Sequence, residues 1–178
     1  MITAQGTTAA EQVVVAAGAW SPGIGALPRP LPVEPVRGQM AATQWPHATP
    51  ASILFDEHSY VLARGDEALL GSTMEHAGFD CHVTNEGMAQ IFRGAVRLLP
   101  ALMHAPVRRM WAGLRPITPD GRPIVGRDPA VERLWYATGH GRHGVLLAAL
   151  TGEAVGDLLS TGQTSVDLAA WQPGRVSG

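Results

Sequence analysis

The sequence predicts an α/β (α+β) fold, and three observations carry that prediction. Short pieces of alternating apolar and polar residues recur between Gly38 and Met74 (GQMAATQW, ASILFD, SYVLARGD, EALLGSTM), the pattern of half-buried strands in a mixed or antiparallel sheet. Two other stretches, 84–99 and 145–159, carry apolar residues at helical spacing or as one long apolar run. Prolines and glycines punctuate the chain between them. At 178 residues it has room for one domain or two small ones.

Each element follows from its own residues. ITAQGTTAAEQVVV reads as a strand, a glycine turn and a buried strand at Val13, Val14 and Val15. Met1 then falls inside a hairpin rather than ahead of a domain, so the expectation is the C-terminal portion of something longer. Gly18 breaks this strand, and SPGIGALPRPLPVEPVRG follows as a proline-rich surface crossing, too stiff for a helix. Of the alternating pieces, the last two are joined by a turn at Gly65, Asp66 and Glu67. Thr84 is an N-cap candidate with Glu86 downstream. Met88, Ile91, Phe92, Ala95, Val96 and Leu99 then lie on one helical face, and Pro100 stops the helix. VRRMWAGLRP is a strand ending in a loop, LWYATG another strand, and Val145 to Leu159 an apolar helix.

Composition narrows the function classes. With 46% apolar and 16% charged residues this is an ordinary globular composition, and a net charge of −2 with scattered Lys and Arg gives no basic field for nucleic acid. The single cysteine, Cys81, allows no internal disulfide, and the histidines and carboxylates show no metal-ligand spacing, so no metal is expected. No apolar stretch approaches the roughly 20 residues of a membrane span. With no signal-peptide pattern either, no membrane association and a cytoplasmic location are expected.

The stretch TGHGRHGVLLAALTGEAV carries the chemistry. A glycine-lined turn between a strand and a helix exposes backbone N–H groups at the positive end of the helix dipole, where an electron-rich ligand is stabilised. Spacing alone leaves a cofactor cradle and a plain turn both open. In WAGLRPITPDGRPIVGR, stiff backbone holds the planar fork of Arg115, which suits a carboxylate; a salt bridge to Asp120 or Asp128 is the other reading. Arg142 stands among glycines that leave room for a small molecule beside it. His140 and His143 read first as solvated or backbone-bonded histidines, Tyr60 and Met74 as fillers of an alternating sheet, and Trp20 and Trp111 as packing residues.

VVVAAGAWS, LPVEPVRGQM, Tyr60-Val-Leu-Ala-Arg, LLGSTM, WAGLRPITPDGRPIVG and ATGHGRHGVLLAALTGEAVGDLL together resemble, in collinear order, the C-terminal half of the FAD-dependent D-amino acid oxidase family, and most closely its glycine oxidase branch, tied to the thiamine pathway. The resemblance implies the C-terminal portion of a two-domain FAD/NAD(P)-binding-type flavoprotein: residues 1–34 and 112–178 from an incomplete FAD-binding domain, and 35–111 as the substrate domain. It implies Arg115 as the residue that pairs with the substrate carboxylate and Arg142 as a second arginine lining the same pocket, with Tyr60 and Met74 at pocket positions on the sheet of the substrate domain. Gly139, His140, Gly141, Arg142, His143, Gly144, Val145 and Leu146, with Ala17, Gly18 and Trp20, are implied as the FAD-facing residues. The implied reaction is oxidation of glycine, sarcosine or a small D-amino acid with oxygen as acceptor and no general base. A D-amino acid dehydrogenase-like segment is the nearest enzymatic alternative, although the small neutral residue that such dehydrogenases carry at position 142 is here an arginine.

The chain departs from the family at one point. The GxGxxG turn that binds the ADP part of FAD is absent, and GIGAL at Gly23 to Leu27 does not replace it because prolines surround it and no helix follows. The expected partners are therefore a small amino acid, oxygen, and either a second copy of the chain or a separate N-terminal half. A non-catalytic remnant or subunit is the reading from a different class.

Overall fold

The computed structural model describes residues 2–4, 6–46 and 49–176; Met1, on which the hairpin expectation rested, lies outside them. Along the chain run β1 (Ile2–Thr3), β2 (Gly6–Thr7), β3 (Val13–Val15), β4 (Glu34–Gln44), β5 (Ile53–Phe55), β6 (Tyr60–Arg64) and β7 (Glu67–Gly71). Then follow α1 (Asn85–Leu98), β8 (Val107–Ile117), β9 (Ile124–Arg127), β10 (Leu134–Thr138) and α2 (Gly144–Thr161). Two compact units divide them: Met1–Pro35 with Arg115–Gly178, and Val36–Leu114.

The first unit is built on a three-stranded sheet in the order β3-β10-β9, with β3 parallel and β9 antiparallel to β10. Successive residues of a strand face opposite sides, so Ile124 and Val125 feed two different cores. One gathers Val15, Leu31, Val33, Ile124, Leu134 and Tyr136. The other packs Val125 and Leu168 against Ala154 and Val155 of α2. The strand expected to be buried at Val13 to Val15 is so only at Val15; Val14 points to the other face and stays 37% exposed. The proline-rich crossing also differs from expectation, because Gly18–Gly23 closes a 3-10 helix around Pro22. Gly18 makes this turn available by adopting a φ of 55°, in the left-handed region.

The second unit carries a five-stranded sheet in the order β5-β6-β7-β4-β8. Val61, Ala68, Leu70 and Ala41 lie on one face and pack against Met88, Ile91 and Ala95 of α1. The helix starts where the sequence places it: Thr84 Oγ1 accepts the Gly87 N–H at 3.1 Å, and Pro100 follows the cap residue Leu99. The β6–β7 turn is one residue tighter than expected. Arg64 pairs with Glu67, so Gly65 (φ 62°) and Asp66 alone form the loop and Glu67 belongs to β7. β8 also runs further than expected, through Arg115 and Pro116 to Ile117. It is an edge strand, where a proline without an N–H costs no ladder bond.

Candidate active site

Thr138 ends β10, and the glycine turn follows at once. Gly139 and Gly141 adopt φ values of 76° and 53°, and Gly141–His143 forms a single 3-10 turn that runs directly into α2 at Gly144. Glycine is required at 139 on two grounds: the positive φ, and a Cβ that would stand 2.7 Å from Thr118 Cγ2. The amides of the first turn of an α-helix have no acceptor within the helix, so the turn presents N–H groups and the positive dipole end together. Beside them Val145 is 96% and Leu146 79% exposed, an apolar ledge next to a row of donors. Arg142 and His143 are exposed as well.

His140 is half-buried, and its Nε2 lies 3.0 Å from Thr151 Oγ1. It is thus held by a side chain on α2 rather than by solvent or backbone. Burial pushes the imidazole below its ordinary pKa of about 6.5, leaving it neutral at physiological pH.

The last residues of β8 lie against this turn. Ile117 and His140 form an antiparallel bridge, and a Cβ at Gly141 would stand 3.8 Å from Ile117 Cγ1 and 4.0 Å from the Pro116 carbonyl. Arg115 is two residues before Ile117 and projects from the same side of the strand. Of the two carboxylates considered for it, Asp120 accepts from Arg175 Nε at 2.8 Å and Asp128 from Arg29 Nε at 2.8 Å. Pairing with Arg175 holds Asp120 far below the usual carboxylate range.

Ala17 and Gly18 stand at the carboxyl end of β3, next to that of β10. Thr138 Oγ1 donates to the Gly18 carbonyl at 3.1 Å and lies 2.8 Å from Ser21 Oγ, so both parallel strands open onto the same edge. This is the edge at which open α/β sheets hold their ligands. Trp20 is 58% exposed there and is not a packing residue, whereas half-buried Trp111 carries the guanidinium of Arg109 5.1 Å from its ring centroid.

In the second unit, Tyr60 projects from the sheet face opposite α1, since its neighbour Val61 is core. Its ring lies over the paired Gly71, whose Cβ would come within 2.3 Å of Tyr60 Cζ, and its hydroxyl donates to Met40 Sδ at 3.6 Å. Met74 is 57% exposed. Neither residue fills the core, so the filler reading is set aside.

Sequence reasoning missed two polar constellations. One surrounds buried Asp128, which accepts from Arg29, the Tyr136 hydroxyl and the Ala130 and Val131 amides. The other links Arg37 and Gln39 to Glu75; its signal was two polar residues at alternate positions in the buried middle of strand β4. The helical run Gly141–Thr161 corrects a third expectation, being long and apolar enough by length and composition to cross a membrane. Only 17% of that span is buried, with Thr151, Ala154 and Val155 turned into the protein.

Parallel strands opening onto an amide-rich turn, with an arginine strand beside that turn, form the kind of edge at which an open α/β sheet holds a cofactor. The chain belongs to the FAD dependent oxidoreductase (DAO) family, whose model matches residues 2–158. It is 41% identical over 177 residues to a glycine oxidase of Pseudomonas putida, covering 98% of this chain and 48% of that protein. It is 38% identical over 162 residues to a bifunctional protein ThiO/ThiG of Trichormus variabilis, covering 88% and 24%. The crystal structure of glycine oxidase from Geobacillus kaustophilus superposes with a TM-score of 0.94 at 35% identity, covering 99% of this chain and 49% of that one. The chain thus spans about half the length of the glycine oxidases it matches.

FAD is the cofactor of this family, and the residues at the sheet edge fit it. Outward amides, a helix dipole and the exposed Arg142 suit the electron-rich edge of a flavin ring, and Val145 and Leu146 offer apolar surface for its face.

Proposed function

We propose that this chain supplies the flavin-ring and substrate-carboxylate side of an oxidase acting on glycine, sarcosine or a small D-amino acid. The observation that carries this reading is the adjacency of the Arg115 strand end and the Gly139–Leu146 turn through the Ile117–His140 bridge. The glycine oxidase relatives give the substrate class its support.

On this reading Arg115 and Arg142 grip the substrate carboxylate, a bidentate fork fixing the pose of the Cα–H bond. On the second unit, Tyr60 and Met74 are the residues this reading assigns to the substrate. The amides of His140 to Leu146 and the α2 dipole hold negative charge that develops on the ring edge beside them. Flavin, when bound, would supply two-electron chemistry between the substrate Cα–H and oxygen, with hydrogen peroxide as the reduced product. The resulting imine is hydrolysed to a 2-oxo acid and ammonia, or a primary amine from sarcosine. His140, neutral and hydrogen-bonded to Thr151, shapes the turn and takes no proton.

We assign the ADP-binding role to a polypeptide that carries the GxGxxG segment, whether on the same chain or a separate one. We further propose that bound flavin, and not lipid, covers Val145 and Leu146, and that the assembly is cytoplasmic. The test is purification of the chain alone and together with such a polypeptide, followed by flavin absorbance and glycine-dependent peroxide formation. Yellow, peroxide-forming protein supports the reading; colourless, inactive protein in both arms rejects it.

A further inference from the structure

We propose that Arg37 and Gln39 are positioning residues that hold Met74 on the ligand side of the second unit. The proposal rests on the reading of Met74 as a substrate-pocket residue.

Methionine has an unbranched side chain with three rotatable bonds, and at 57% exposure Met74 is not confined by burial. Its placement is set through its two chain neighbours. On one side, the Gln39 amide donates to Thr73 Oγ1 at 2.9 Å and the Thr73 amide to the Gln39 carbonyl at 3.4 Å. On the other, Arg37 and Glu75 exchange both backbone bonds, at 2.8 and 3.0 Å. Their side chains repeat the pairing. Arg37 Nε donates to Glu75 Oε2 at 2.9 Å, Arg37 Nη2 donates to the same oxygen, and Gln39 Nε2 donates to Glu75 Oε1 at 2.7 Å. Both carboxylate oxygens are therefore engaged by β4.

The clamp is itself braced. Arg37 Nη1 donates to Asp80 Oδ2 at 2.9 Å and to the His82 carbonyl at 3.2 Å. Gln39 Nε2 also donates to Thr84 Oγ1 at 3.0 Å, and its Oε1 accepts the Thr84 amide at 2.8 Å. Gly87 leaves the space this needs, since a Cβ there would stand 2.3 Å from Gln39 Nε2. Arg37 is 7% exposed and Gln39 fully buried. Desolvating a guanidinium and a primary amide is costly, and apolar residues would pack a sheet at least as well. What the polar pair adds is a defined path for the segment through Thr73, Met74 and Glu75.

The test uses the full chain labelled with 13C-methyl methionine, in which the Met74 signal is assigned by its loss in Met74→Leu. In Arg37→Leu and Gln39→Leu the Met74 methyl is expected to move by more than its linewidth or to broaden, while Met103, beyond the far end of α1 from the Gln39 contacts, keeps its position. A Met74 signal unmoved in both variants overturns the proposal, as does a uniform shift of Met74 and Met103 together. Should Arg37→Leu fail to fold, Arg37→Lys retains the charge without the fork and reads the same signal, with the same two outcomes. In the flavin-loaded assembly, Arg37→Lys is expected to raise KM for glycine several-fold with kcat retained. If instead Met74→Leu leaves that KM unchanged while the methyl still responds to Arg37, the pocket reading fails and the positioning stands.

Discussion

His140 Nε2 and Thr151 Oγ1 lie 3.0 Å apart, joining the glycine turn to the helix it feeds. Because burial lowers the pKa of His140 in the folded chain, the unfolded chain takes up the proton first as the pH drops. The stability tied to burying a neutral His140 is complete above about pH 6.5 and falls as the pH drops below it. Melting temperature measured across this range should decline on acidification, and His140→Gln, which keeps a hydrogen-bonding group but does not titrate, should flatten the decline. Identical slopes in the two proteins would count against the assignment.

Gly139→Ala should be among the more damaging changes in the first unit. An L-residue at φ 76° is strained, and the new methyl would meet Thr118 Cγ2 at 2.7 Å. Together these should cost about 2 to 4 kcal/mol, read from chemical denaturation. A loss under half a kilocalorie would show that the turn does not hold this path.

Gly71→Ala tests the placement of Tyr60. The added Cβ would meet the phenol ring, so the substitution should destabilise by about 1 to 3 kcal/mol and should cost little in a Tyr60→Ala background. Additive losses in the double variant would indicate that the ring does not lie on Gly71.

Much of this architecture was legible because local rules and tertiary packing agree. The helix at Asn85–Leu98 follows from Thr84, its apolar spacing and Pro100, and the β6–β7 hairpin from Gly65. The candidate turn was legible for the same kind of reason: three glycines (Gly139, Gly141 and Gly144) at the entry to an apolar helix have few physical uses. What escaped were features fixed by distant partners. Pro116 suggested a loop, yet an edge strand tolerates it. Polar residues such as Arg37, Gln39 and Asp128 carry no local sign that their partners lie tens of residues away. The bridge from Ile117 to His140 is equally non-local, and no periodicity announces it.

Asp128 should set the acid stability of the first unit. Burial alone would raise its pKa, but the bonds from Arg29, the Ala130 and Val131 amides and Tyr136 outweigh it and hold the carboxyl below its ordinary value. That stabilisation is present above about pH 4 and is lost as the pH falls through the lowered folded-state value. Asp128→Ala leaves Arg29 and the Tyr136 hydroxyl without their shared acceptor. It should cost about 3 to 5 kcal/mol at neutral pH by thermal or chemical denaturation. A near-neutral result would mean that the pair is not formed in solution.

The central claim is that the guanidinium of Arg115 and the Gly139–Leu146 turn serve one carboxylate-bearing ligand beside a flavin. The most direct measurement is a titration of the FAD-loaded assembly with acetate, a carboxylate with no amine to oxidise, read as a change in the flavin absorbance spectrum. The wild-type protein should show a saturable change, and Arg115→Ala should weaken acetate binding by about 1.5 to 3 kcal/mol, roughly 10- to 150-fold in Kd. Equal affinities in the two proteins would contradict the claim.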